Sequence, residues 1–217
     1  MVTRILHDMI GVIKAEQLRR ETELDNVDPN CQYDQRQFTD LPFVNELCLM
    51  VLVTLRHQVE RELVKIAARE GHQGKEISGQ DYAVNVQQER EGVRKKGGWE
   101  KLAKRLKLEQ CDGYPPMEVL RLLVNSHKHA PWGQPDEELL RKLNLELDVK
   151  YAPLPESTAL REGLAQFIGL EKNALWCDTA EQFVNEAAAF LEAVQKQTAL
   201  SKVKWGSVSF NPDDMLH

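Results

Sequence analysis

The residues best suited to chemistry lie together in one segment, Glu118–His129, with the sequence EVLRLLVNSHKH. On an α-helix, which turns by about 100° per residue, one narrow arc of this segment holds five polar side chains: Glu118, Arg121, Asn125, Lys128 and His129. The other positions are mostly apolar, and His127 falls among leucines on the opposite side. We therefore expect a core or interface position for His127 and an accessible position for His129 beside Arg121.

This arc holds the groups needed to cleave RNA by its own 2′-hydroxyl without a metal ion. Histidine titrates near neutral pH, so it both takes and gives a proton. The planar fork of arginine grips a phosphate and stabilises the charge that develops on it during transfer. Asparagine holds a hydroxyl or fixes an imidazole tautomer. The alternative interpretation is an exposed polar face, in which His129 favours the C-terminal end of the helix dipole.

The run RLLVNSHKH, which follows a long apolar helix, resembles the signature of the HEPN superfamily. The resemblance implies an all-α bundle that forms a homodimer and cleaves RNA without a metal, in toxin–antitoxin, CRISPR-associated or phage-defence systems. The family motif is an arginine followed after four to six residues by a histidine, and two copies of it meet across the dimer interface. Arg121 corresponds to the arginine; His127 matches the spacing and His129 shares the face of Arg121, so both histidines stay candidates. An antitoxin-like protein partner is a further implication of the resemblance.

A second polar cluster, Arg56, His57, Glu60 and Arg61, lies on the long apolar helix. The favoured interpretation is a solvated helix face with an i,i+4 ion pair between Arg56 and Glu60. The functional alternative is that Glu60 or His57 orients Arg121 or His129 in the folded bundle.

The charge balance bears on nucleic-acid binding in two directions. The net charge of −6 disfavours general attraction to nucleic acid. The stretch from Glu89 to Lys107, however, carries eight Lys and Arg against three Glu and contains Trp99. A solvated helix face is the favoured interpretation of this stretch, and an RNA-binding face is the alternative.

Cysteine usage and hydropathy predict a cytoplasmic protein without a cofactor. The four cysteines form no CxxC pair, which is typical of free thiols in a reducing compartment. The most apolar run, Leu47–Val53, is far too short to span a bilayer. No metal-binding motif is present, and His127 and His129 point in different directions on a helix, so they cannot chelate one ion together.

Hydrophobic periodicity predicts the elements that position these residues. We expect an all-α helical bundle with a long central apolar helix over residues 41–70 that buries Leu49, Leu52, Val59 and Leu63. Further helices are predicted over residues 3–24, 80–96, 99–108, 117–129, 136–145 and from Ser157 to Gly169. A capping box at Asp178 and Glu181 predicts the start of the last helix. Residues 25–40 are predicted to form a long loop, residues 112–116 a firm break, and residues 151–155 an extended segment.

These patterns predict one helical domain over residues 1–200, with a HEPN-like part at about 41–129. An irregular tail, with at most one short strand, is expected over residues 201–217. Two functions fit the sequence: a metal-independent HEPN-type endoribonuclease, or a non-catalytic helical interaction module that binds a protein or nucleotide partner.

Overall fold

The computed structural model describes residues 2–35, 41–70, 72, 74–129 and 176–205. Within these residues the fold is all-α, as predicted, with seven helices and two strands of two residues each. The helices are α1 (Val2–Leu24), α2 (Pro29–Gln35), α3 (Leu41–Glu70), α4 (Gly79–Arg94), α5 (Gly98–Leu106), α6 (Tyr114–His129) and α7 (Trp176–Gln197). Strand β1 (Ile77–Ser78) pairs in parallel with β2 (Val203–Lys204), with Ile77 opposite Val203.

The chain divides into two compact units, each assembled from two separate stretches. Unit 1 comprises residues 1–59 and 112–191, and unit 2 comprises residues 60–111 and 192–217. The predicted single domain over residues 1–200 stays a prediction. The predicted segments at 136–145, 151–155 and 157–169 lie outside the described residues.

Unit 1 has an apolar core formed by residues of α1, the first part of α3, α6 and α7. Its largest fully buried side chains are Phe183 and Phe190 of α7, together with Leu6, Ile10, Leu52, Leu120 and Leu123. The ring of Tyr114 packs against Phe190, with ring centroids 6.3 Å apart. The guanidinium of Arg20 lies 4.0 Å from the centre of the Phe43 ring. Four helices therefore share one hydrophobic interior in this unit.

Helix α3 confirms the burial predicted for its apolar positions. Leu49, Leu52, Val59 and Leu63 are all at most 5% exposed. Its first half is apolar around most of its circumference, and such a helix is stable only when it is enclosed. The central position of α3 in the bundle stays a prediction.

Unit 2 is smaller and is built around α4, α5 and the β1–β2 pair. Ser78 caps α4, because its hydroxyl oxygen accepts a hydrogen bond from the backbone N–H of Asp81. Helix α5 is strongly amphipathic, with Trp99, Leu102 and Leu106 buried. Helix α4, in contrast, has no buried residue and lies on the surface of the unit.

Two proline-containing segments were predicted wrongly. The expected loop at residues 25–40 contains α2, which begins at Pro29 directly after Asp28. The Asp28 carboxylate accepts a hydrogen bond from the backbone N–H of Asn30 at 2.9 Å, as a helix cap does. The expected break at residues 112–116 overlaps α6, which begins at Tyr114. Proline fits the first turn of a helix because the N–H that it lacks has no intrahelical partner there.

The predicted capping box of α7 was also wrong. Helix α7 begins at Trp176, so Asp178 lies within its first turn rather than before it. Asp178 and Glu181 instead bind a lysine of α1, which the next subsection describes.

Candidate functional site

The candidate site is centred on Arg121, which is held by a carboxylate on its own helix. The Nε and Nη2 atoms of Arg121 donate to the two carboxylate oxygens of Glu118 at 2.8 and 2.6 Å. This is the bidentate geometry in which guanidinium and carboxylate bind most strongly. It requires Arg121 to reach back by nearly one turn of α6, towards the N-terminus of the helix. The sequence therefore placed Glu118 correctly beside Arg121.

The two partners are withdrawn from solvent. The side chain of Arg121 is 16% exposed and that of Glu118 is 10% exposed. Their neighbours on α6 are buried as well: Val119, Leu120, Leu122, Leu123 and Val124. The N-terminal half of the polar arc is thus enclosed, unlike an open polar helix face. A charged pair in such a place is retained only when each member has a partner.

The other predicted site residues follow on the same helix. Asn125 is half-buried and lies one turn beyond Arg121, about 6 Å along the helix axis. His127, Lys128 and His129 belong to the last turn of α6, but their side chains lie outside what the structure describes. The expected burial of His127 and exposure of His129 therefore stay predictions.

The geometry defines what Arg121 offers to a phosphate. One edge of its guanidinium is already occupied by Glu118, so the pair has no net charge. A phosphate that used the same edge would have to displace a carboxylate. Glu118 instead fixes the position of the guanidinium in advance, which reduces the reorganisation needed during a reaction. A substitution at Glu118 is therefore expected to change the position of the Arg121 guanidinium.

The second polar cluster differs from the predicted solvated face. Arg56 is only 8% exposed, whereas His57 is exposed. The favoured interpretation was therefore wrong for Arg56, because the helical turn that carries it also carries buried Leu55 and Val59. The predicted roles of Glu60 and His57 in orienting Arg121 or His129 stay predictions.

An ion-pair cluster between α1 and α7 was not predicted from the sequence. The Lys14 ammonium lies 2.7 Å from Oδ1 of Asp178 and 2.7 Å from Oε2 of Glu181. These two contacts, with Asp178 contributing more, raise the pKa of Lys14 above its usual range. His7 lies nearby, with Nδ1 3.9 Å from Oε1 of Glu181. No local signal could have indicated this cluster, because its α1 residues and its α7 residues are more than 160 positions apart in the sequence.

A pair of thiols was missed for the same reason. The Sγ atoms of Cys48 in α3 and Cys177 in α7 lie 3.6 Å apart. Both cysteines are buried, at 0% and 4% exposure. The contact between the thiols, together with burial, raises the pKa of Cys48, and the same contact lowers the pKa of Cys177. Lys14, in turn, favours a thiolate at Cys177 electrostatically.

Within the described residues, no group of three or more His, Cys, Asp or Glu side chains could hold a metal ion. None of the described helices has the length and hydrophobicity needed to cross a bilayer. Comparison with family models, with curated proteins and with solved structures finds no match.

Proposed function

We propose that this protein is a metal-independent endoribonuclease of the HEPN type, acting as a toxin or in phage defence. The observation that supports it is the Glu118–Arg121 pair, a preorganised guanidinium on the helix that also carries Asn125, Lys128 and two histidines. Such a guanidinium is suited to neutralising charge that develops on a phosphate.

The proposed reaction is an internal transesterification of RNA. A histidine, His129 by its position on the arc, takes the proton of the 2′-hydroxyl while the 2′-oxygen attacks phosphorus. The bond from phosphorus to the 5′-oxygen breaks, and that oxygen leaves with a proton from a second acid. The products are a 2′,3′-cyclic phosphate and a 5′-hydroxyl. Arg121 stabilises the phosphorane charge, while Asn125 and Lys128 hold the backbone.

The direction of the Arg121 side chain favours a site shared between two copies of the chain. The Cα atoms of Arg121 and His129 are separated by about 12 Å along the axis of α6. Arg121 reaches back towards Glu118, so its guanidinium moves further from His129. A symmetric homodimer would bring the arginine of one copy to the histidine of the other, and we propose that arrangement.

The first test is an RNA cleavage assay with EDTA present. Wild type should cleave RNA and leave a 2′-O-methyl RNA of the same sequence intact, because the methyl group removes the nucleophile. His129→Ala should lower the rate by about 10²–10⁴, the usual contribution of a positioned acid–base group. His127→Ala is the matched control on the same turn, with little loss expected. Activity that EDTA abolishes, or that survives both histidine variants, would refute the proposal.

The second test asks whether two copies share the site. Arg121→Lys and His129→Ala should each be inactive, and mixing them should restore activity. Each mixed dimer then holds one site with an intact arginine and an intact histidine. Light scattering on the wild type should give the mass of two chains. A monomer mass with full activity would leave the catalytic proposal standing and refute the shared site.

The cellular form of the proposal has its own test. Expression of wild type should arrest growth, and His129→Ala should not. If the protein is a toxin, an antitoxin-like protein would be its partner. That partner should co-purify with the inactive variant from the cells in which the protein naturally occurs.

A non-catalytic interaction module is the second candidate, and one observation favours it. Unit 1, which contains Arg121, has 13 Lys and Arg against 22 Asp and Glu over its whole sequence. The Glu118 carboxylate also cancels the charge of Arg121. These features suit a protein partner better than an anion such as RNA or a nucleotide. Glu118→Gln separates the two candidates: an endoribonuclease should lose activity through a misplaced Arg121, whereas a binding module should change only in affinity for its partner.

A further inference from the structure

Unit 2 differs from the rest of the chain in charge. It carries 15 Lys and Arg against 12 Asp and Glu, in a protein whose net charge is −6. The excess is concentrated where α4 ends and α5 begins. We name this surface the basic corner, and it consists of seven residues, all exposed: Arg90, Arg94, Lys95, Lys96, Lys101, Lys104 and Lys107.

Acidic neighbours neutralise the basic corner only in part. Among the described residues, none of its seven side chains forms an ion pair. The eighth base of the stretch, Arg105, forms ion pairs with Glu89 at 2.8 Å and with Glu70 at 3.8 Å. Arg105 thereby occupies two of the nearby carboxylates. Three other glutamates of this region, Glu91, Glu100 and Glu109, are also exposed, so the seven bases keep a net excess of four positive charges.

At the corner, the end of α4 and the start of α5 approach each other without an intervening side chain. A Cβ atom at Gly98 would lie 2.2 Å from the backbone oxygen of Gly92. Gly97, with φ 70°, lets the chain turn sharply between α4 and α5. On the far side of α5, Trp99, Leu102 and Leu106 are buried. Lys101 and Lys104 therefore lie on the exposed face of α5, away from its buried side chains.

We propose that the basic corner binds the phosphate backbone of single-stranded RNA without sequence preference. Seven exposed cations that form no ion pair among the described residues match a ligand with closely spaced phosphates, and release of counterions would supply the affinity. The choice of RNA among polyanions rests on the proposed ribonuclease function, for which the corner would supply affinity for substrate.

The test uses full-length protein and a fluorescent 2′-O-methyl RNA, which separates binding from cleavage. Anisotropy is measured between about 50 and 200 mM salt, where phosphate contacts show their salt dependence. The corner variant is Lys95→Glu, Lys96→Glu, Lys101→Glu and Lys104→Glu. A matched variant makes the same charge change at four other exposed bases of unit 2: Arg61, Lys75, Lys202 and Lys204. Circular dichroism and Tm check that both variants are folded.

The corner variant should raise Kd by at least about 100-fold and reduce the salt slope by about three, since each lost contact to a single strand contributes about 0.7. The matched variant should raise Kd by much less. Equal losses in both variants, or no binding by wild type at low salt, would overturn the proposal. Vesicles of phosphatidylglycerol are tested in parallel, and corner-dependent binding to them without RNA binding would overturn it in favour of a membrane. RNA binding without cleavage would leave the corner proposal standing and refute the ribonuclease.

A second inference rests on a separate observation, the Cys48–Cys177 contact. Two thiols 3.6 Å apart need only a small movement to bond. Cys177 is the second residue of α7, where the helix dipole favours a thiolate and where helix ends open most readily. We propose that hydrogen peroxide oxidises this pair to a reversible disulfide.

The proposed oxidation has two steps. The Cys177 thiolate attacks one peroxide oxygen and forms a sulfenic acid, while the other oxygen leaves as hydroxide. The Cys48 thiol then attacks the Cys177 sulfur, and the sulfenic oxygen departs as water with the thiol proton. A dithiol reductant reverses the bond.

Thiol titration of the denatured protein after peroxide treatment tests this. A Cys31→Ser/Cys111→Ser variant retains only the pair, and it should lose both thiols and the mass of two hydrogen atoms. Adding Cys48→Ser should instead give a sulfenic acid at Cys177 that a dimedone probe traps. Two thiols that persist under peroxide, or direct conversion of one to a sulfinic acid, would overturn the proposal.

Discussion

Replacing Gly98 with alanine should destabilise the protein through a single added methyl group. That methyl would lie 2.2 Å from the backbone oxygen of Gly92 and 2.7 Å from that of Val93. Ordinary contact is about 3.5 Å, so the corner between α4 and α5 must open by more than 1 Å. Backbone oxygens within a helix cannot swing aside as the end of a flexible side chain can. Overpacking of this kind typically costs about 1–3 kcal/mol.

The higher helix propensity of alanine opposes this cost by about 1 kcal/mol. Subtracting this gain from the overpacking cost, we expect the free energy of unfolding to fall by up to about 2 kcal/mol, which changes the ratio of folded to unfolded protein by up to about 30-fold. Gly92→Ala is the matched control, because a Cβ at that helical position meets nothing within 4 Å. It should instead stabilise α4 by up to about 1 kcal/mol. Urea unfolding followed by circular dichroism measures both. Equal stability of the two variants would show that the close approach at Gly98 does not constrain the corner.

Three further predictions concern stability. Phe183 is fully buried, so Phe183→Ala should lower the free energy of unfolding in urea by about 3–5 kcal/mol, because a cavity remains in the core of unit 1. A loss below about 1 kcal/mol would contradict this packing. Lys107→Gly should raise stability by up to about 1 kcal/mol, because Lys107 is held at a φ of 52° that glycine adopts without strain, whereas Lys107→Ala should not. Hydrogen bonds from Arg19 and Arg20 lower the pKa of Glu16 to about 2. The stability that Glu16 contributes is therefore present above its ordinary pKa and is lost as pH falls towards 2. Glu16→Gln should remove that acid-dependent component from the pH profile of Tm, and an unchanged profile would contradict the assignment.

Much of the helical layout could be predicted because its signals are local. The apolar run that begins at residue 41 predicted α3 with the bounds that the structure has, and the helix predicted over residues 117–129 is confirmed as part of α6. The errors concern proline, whose meaning depends on context. Pro29 and Pro115 were taken as loop residues, yet both lie in the first turn of a helix, where the missing N–H has no consequence.

The contacts that join distant segments could not be predicted from this sequence. Cys48 and Cys177 are 129 residues apart. Each looks like an ordinary apolar position of its own helix, and periodicity indicates only that both are buried. Lys14 and Glu181 likewise look like exposed charges until α1 and α7 are packed side by side. Helix packing, rather than any local pattern, decides which of these groups meet.

At the candidate site, the helical wheel predicts which side chains share a face of α6 but not whether that face is buried. The wheel predicted that Glu118 and Arg121 share a face, which their hydrogen bonds confirm, but an angle does not reveal what covers that side of the helix. Since α6 is buried around most of its N-terminal half, its polar arc is enclosed too, and an enclosed arginine requires a carboxylate within reach. The spacing of three residues between Glu118 and Arg121 satisfies that requirement locally. A polar arc on a buried helix is therefore first an indication of internal pairing, and its use in catalysis depends on whether substrate reaches Arg121 while Glu118 holds it.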